Sequence, residues 1–211
     1  AQAPRIFLGR CTARILKTAT VDLDVTTTIA SLDLAVADCD IVFTSSDTGA
    51  YRLTLNDLKM PLEGTTWTID HAYVYRTADL TPAADSKAVV KNGGTFYMNS
   101  LQLYNSGSVF EIGDGGTNNI NYLRIGSGSL VISNGYVNAR QAIYVGSSTK
   151  GGSLLFKGTH PRLHSSLKDA YFTTDLASPE AILGFEVPEG GYESAVITCN
   201  SDKTRTFFSD S

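Results

Sequence analysis

GSVFEIG (107–113), GSLVISNG (128–135) and GGSLLFKG (151–158) restate one pattern of small residues, an apolar strand and a closing glycine. A recurrence of roughly 20 to 24 residues built from strand-length pieces is the signature of a stacked β-solenoid, in which each turn buries its apolar side against the next. A second element keeps the same period. LQLYNSG starts at Leu101, LRIGSG at Leu123 and IYVGSS at Ile143, recurring after 22 and then 20 residues, while the glycines at 107, 128 and 152 recur after 21 and then 24. The surplus residues fall in GDGGTNN (113–119) and SSTKGG (147–152), where Gly, Asn and Ser supply positive φ and local side-chain hydrogen bonds. Strands are therefore constrained and turns vary.

Alternation assigns the faces. Along Leu101-Gln102-Leu103, Leu123-Arg124-Ile125 and Ile143-Tyr144-Val145, successive side chains point to opposite sides of the strand. The apolar pairs fill the interior, and Gln102, Arg124 and Tyr144 stack outside as a polar and aromatic ladder, the candidate binding residues. The other element is expected to break this rule. With Val109, Leu130 and Leu154 pointing in, Phe110, Val131 and Leu155 form an external apolar column, and such a column needs a cover, which makes those three the candidate interface residues.

Working outward, SLDL (31–34), CDIVF (39–43), YRLTL (51–55), TTWTID (65–70), AYVYR (72–76) and GTFYM (94–98) read as strands with less regular spacing. β-Branched and aromatic residues dominate each run and turn residues interrupt within ten, so the chain is expected to be all-β, a right-handed parallel β-helix wound from single strands. Residues 1–211 form one domain: a capping segment over 1–20, irregular turns, the clearest repeats over 92–165, and a segment from 179 that either caps the stack or continues it. RIFLGRCTARILK (5–17) fits a short capping helix or a first strand equally well. TADLTPAADSKAVV (77–90), with Pro82 and mixed charges, is expected to be an inserted loop.

Charge narrows the function. The net value of −4 argues against nucleic acid, which needs a basic stripe. No run of 18 apolar residues is present, so no spanning helix is expected. The first 21 residues carry Arg5, Arg10, Arg14 and Lys17 without an acid, whereas 169–202 carry seven acids without Lys or Arg. Opposite charge at the two ends of a solenoid favours head-to-tail contact between copies; the plainer alternative is solvated surface that discourages edge pairing. Cys11 and Cys39 are candidates for a disulfide in an oxidising compartment, and the alternative buries Cys39 in the core.

No catalytic constellation emerges, and no metal or cofactor is expected. His160 and His164 have helical spacing, yet Pro161 lies between them. His71 beside Asp70 has no nucleophile motif near it. Asp38 and Asp40, on one strand face about 6.8 Å apart, match glycosidase pairs in spacing alone. The turn acid Asp114 lacks the regular acidic spacing of a calcium loop.

GSLVISNGYVNARQAIYVGSSTKGGSLLFKGTHPRL (128–163) resembles the glycine-punctuated repeats of bacterial autotransporter passengers and of related secreted, pectin-lyase-like parallel β-helix proteins. The resemblance covers 92–165 and weakens after Pro179. It implies an exported, surface-exposed solenoid and carries no functional residue onto this chain. Two functional classes follow. One is a non-enzymatic extracellular or cell-surface scaffold or adhesion module that contacts a glycan or a surface protein, or other copies of itself through its ends or its apolar column. The alternative is a polysaccharide-acting lyase or glycosidase.

Overall fold

The computed structural model describes residues 12–15, 17–34, 37–59, 63–141, 143–145, 151–165, 172–174, 182–186, 189, 194–199 and 204–209. All regular structure among them is β. In chain order the strands are β1 (Thr12–Ile15), β2 (Ala19–Asp22), β3 (Thr27–Leu34), β4 (Asp40–Thr44), β5 (Arg52–Lys59), β6 (Thr66–Asp70) and β7 (Tyr73–Arg76). There follow β8 (Lys87–Lys91), β9 (Thr95–Leu103), β10 (Val109–Ile112), β11 (Thr117–Ile125), β12 (Ser129–Ser133), β13 (Tyr136–Ala139) and β14 (Ile143–Val145). The last are β15 (Ser153–Lys157), β16 (Arg162–Ser165), β17 (Phe172–Thr174), β18 (Ile182–Phe185), β19 (Ser194–Cys199) and β20 (Thr204–Ser209).

Strands β2, β4, β6, β8, β10, β12, β15 and β18 stack in parallel, in chain order, as one eight-stranded sheet, here face 1. The remaining strands make a twelve-stranded sheet that is bent. In β11, Thr117–Ile120 pairs with β13 whereas Leu123–Ile125 pairs with the separate strand β14. The pairing of β9 with β11 skips Asn99 and Asn121, which marks the bend. Each turn thus contributes face 1, face 2 (the row through Leu53, Val74, Phe96, Asn118, Val137 and Leu163) and face 3 (the row through Leu101, Leu123 and Ile143). The product is a parallel β-solenoid of about six turns. At its far end β18 and β19 continue the parallel stack, and β20 folds back antiparallel on β19.

Inward columns build the core. On face 1, Ile41, Trp67, Ala88, Phe110, Leu130 and Leu154 are in register and buried. Trp67 meets Phe96 edge-on at 5.1 Å and Phe110 at 6.2 Å, and Phe96 stacks on Phe110 at 6.1 Å, so aromatic contacts tie faces 1 and 2 across the interior. Burying each such side chain stabilises the fold by about 1.5–3 kcal/mol. The described part of 5–17 is strand β1, paired in parallel with β3, and not a helix.

Three expectations need correction. Phe110 is fully buried, so the external column is not Phe110, Val131 and Leu155. Glu111, Val131 and Leu155 occupy equivalent outward positions instead. Hydrogen bonds explain the shift: Ser129 N–H donates to Ser108 O at 2.8 Å and Ser153 N–H to Gly128 O at 3.1 Å. Ser108 therefore matches Gly128, and Gly107, at φ 69°, is an extra turn residue rather than the start of the repeat.

The inserted loop at 77–90 is also replaced. Leu80 is buried and bridges Leu101 in parallel, its N–H donating to Ser100 O at 2.8 Å, and Lys87–Lys91 is β8. Residues 77–86 are the irregular third side of an ordinary turn. Finally, Asp38 lies in a turn at φ 52°, and only Asp40 is in a strand, so the two carboxylates do not share a strand face.

Candidate functional site

The ladder of Gln102, Arg124 and Tyr144 occupies one column of face 3, each residue beside the next on adjacent strands. Gln102 Nε2 donates to Asp79 Oδ2 at 3.1 Å and to Ser100 Oγ at 3.2 Å. The Arg124 guanidinium lies 5.7 Å from the ring centre of Tyr144. A hydrogen bond to the Tyr104 phenol, together with the attraction of that group, pushes the Arg124 pKa above its usual value. Tyr104 and Tyr144 are the exposed aromatics here, at 37% and 40%. Tyr104 is seated across Gly126, where a Cβ would stand 2.7 Å from its Cδ1.

The edge between faces 2 and 3 anchors this column. Asn121 Nδ2 donates to Asn99 Oδ1 at 2.9 Å, and Asn99 Nδ2 donates to Asp79 Oδ1 at 2.7 Å. Behind them the buried Arg76 donates from Nε and Nη2 to the Asp79 carbonyl, at 3.0 and 2.5 Å. Its Nη1 stands 3.9 Å from Asp57 Oδ1. Burial lowers the Arg76 pKa, while the Asp57 and Asp79 charges act against that shift. An arginine at this position holds the 77–80 backbone where other turns have a strand.

Face 2 carries a second outward array that the sequence reading did not single out. Tyr75 and Tyr97 stack at 4.6 Å with their planes 14° apart. Arg52 lies over Tyr75 at 5.4 Å, Arg140 over Tyr97 at 5.3 Å, and Arg162 over Tyr136 at 5.2 Å. Alternation within AYVYR and GTFYM places Tyr75 and Tyr97 outside, and the same alternation in β13 places Tyr136 there, the rule that found the ladder. What that rule lacks is which turn lies beside which.

On the exterior of face 1, Val131 keeps only 8% of its exposure within its own chain, and Lys87 Nζ pairs with Glu111 Oε2 at 2.8 Å in the same region. Asp70 is held by His71 Nδ1 at 2.5 Å, Lys91 Nζ at 3.6 Å and Asn92 Nδ2 at 3.1 Å, a clasp at the turn that leaves face 1. His160 precedes β16 and contacts Thr159 Oγ1 at 2.9 Å, whereas His164 sits within the strand opposite Asn138. The pair does not lie on a helix. Cys39 is buried, and Cys11 lies outside the described residues, as do Arg5, Arg10 and most of the acids of 169–202. Among the described residues no helix is long and apolar enough to cross a membrane. Comparison with family models, with curated proteins and with solved structures returns no match for this chain.

Proposed function

We propose that the chain is a non-enzymatic extracellular or cell-surface β-solenoid, a scaffold or adhesion module of the autotransporter-passenger kind whose third face contacts a glycan. The column Gln102–Arg124–Tyr144 carries this reading. It lines up an amide, a guanidinium and an aromatic ring on adjacent strands, each held by neighbours on rigid backbone. Side chains already held in place lose little entropy on binding. A tyrosine ring offers an apolar surface, Arg124 offers N–H donors to hydroxyl groups, and Gln102, whose Nε2 hydrogens go to Asp79 and Ser100, offers its Oε1 as an acceptor.

The polysaccharide-cleaving alternative leaned on Asp38 and Asp40 sharing a strand face, and the turn position of Asp38 removes that support. Phe110 points inward and Val131 is covered within one chain, which leaves Leu155 alone of the expected apolar column partly exposed on face 1. The test is binding of purified protein to immobilised glycans, compared with Arg124→Ala and Tyr144→Ala. Saturable binding that weakens about tenfold in each variant at unchanged melting temperature is expected. Binding indifferent to both substitutions, or release of shortened glycan, overturns it.

A further inference from the structure

The array on face 2 is chemically unlike the ladder. Its strand segments 52–55, 73–76, 95–98, 117–120, 136–139 and 162–165 contain no Asp or Glu, in a chain whose net charge is −4. Among the described residues Arg52, Arg140 and Arg162 form no ion pair. Each instead rests on a tyrosine ring. A guanidinium set over a ring in place of a carboxylate keeps N–H donors for hydrogen bonds, and their fork matches an oxyanion in two-point geometry. Arg52 belongs to β5 and Arg162 to β16, five strand spacings apart along the face and so roughly 24 Å. A single small anion would engage one of these groups; an extended, multiply charged chain engages all of them.

We infer that face 2 binds a linear polysaccharide carrying pendant oxyanions, carboxylate or sulfate, laid across the turns against Arg52, Arg140 and Arg162. Other polyanions fit less well. Nucleic acid bound as a single strand gains most from stacking bases on open aromatic faces. Here Tyr75 and Tyr97 cover each other and carry arginines as well. An acidic peptide would add as a strand at an exposed sheet edge. The strands of face 2 between β5 and β16 are paired on both sides. A membrane would call for apolar side chains to insert, and the outward positions are Thr, Tyr, Asn, Arg and His. The threonines and the Asn119–Asn138 pair, joined at 3.1 Å, leave a polar floor suited to sugar hydroxyls.

The experiment titrates the full chain with dextran sulfate, alginate and neutral dextran oligomers of equal length, and with an oligothymidylate, at low and moderate salt. At least one acidic glycan is expected to bind, with affinity falling about tenfold or more as salt rises fourfold. Arg140→Gln and Arg162→Gln should each weaken that binding about fivefold at unchanged melting temperature. Lys87→Gln, which removes a positive charge from the exterior of face 1, should leave it intact, which ties the binding to face 2. The sulfate and alginate arms tell which oxyanion is preferred, and either one supports the inference. No acidic glycan bound at low salt, neutral dextran bound equally well, oligothymidylate bound more tightly, or insensitivity to both arginine variants overturns it. Should one substitution unfold the protein, the other and the salt dependence still decide.

Discussion

The carboxylate of Asp85 lies over the α-carbon of Gly107, one turn further along, in the space that a side chain at 107 would fill. Both residues have left-handed backbone, at φ 52° and 69°, in the turn that enters face 1. Asp38 and Gly64 repeat the arrangement two turns earlier. An acid in one turn therefore dictates glycine in the next.

Gly107→Ala should destabilise the fold by about 2–3 kcal/mol, through positive φ and overlap with Asp85 Oδ1 together. Asp85→Gly in the same chain removes the overlap and leaves only the φ penalty. A thermal-melt double-mutant cycle should then show a coupling of about 1 kcal/mol. Strict additivity would mean that the carboxylate does not occupy that space.

Phe110 and Leu155 separate the observed register from the one expected from glycine spacing. Phe110→Ala should cost about 3–5 kcal/mol in denaturant unfolding, as the loss of a fully buried aromatic in contact with Trp67 and Phe96. Leu155→Ala, at an outward and partly exposed position, should cost about 1 kcal/mol or less. The reverse order would restore the column of Phe110, Val131 and Leu155.

Asn118 stands in the inward column of face 2 between Phe96 and Val137, donating from Nδ2 to Phe96 O at 3.2 Å, while its Oδ1 has no hydrogen-bond partner. Replacing an incompletely satisfied amide by an apolar group of similar volume is close to neutral or stabilising. Asn118→Leu should hold or raise the melting temperature. Asn118→Asp, which places an acid in the same dry position, should lower it sharply at pH 7 and less so at pH 4.

Tyr136 has its pKa raised by burial, with Arg162 pulling the other way. The fold thus prefers the neutral phenol. Stability from this group is complete below the unfolded value of about 10 and is lost as pH rises through the higher folded value. Tyr136→Phe should remove that part of the alkaline loss in melts taken from pH 9 to 11.5. Arg162→Gln should move the Tyr136 ring-carbon titration in NMR further up. Titration at an ordinary pH in the parent protein would show that the ring is not desolvated.

Local periodicity, which any chain carries in its own order of residues, determined a great deal here. The recurrence of strand and glycine implied a solenoid, and alternation placed Leu101, Leu123 and Ile143 inside with Gln102, Arg124 and Tyr144 outside. Alternation has a period of two, so a one-residue error in aligning turns sends every side chain to the wrong face. That happened at Gly107, whose match to Gly128 looks natural in sequence and fails because the backbone bonds pair Ser108 with Gly128. Composition likewise suggested a loop at 77–90, since nothing local reveals that the buried Arg76 holds Asp79 and lets Leu80 complete a turn. The stacking of Tyr75 on Tyr97, with Arg52 and Arg140 over them, depends on which turns are neighbours and how long each turn is. Those quantities are set by hydrogen bonds between residues about twenty apart, and only the tertiary structure decided them.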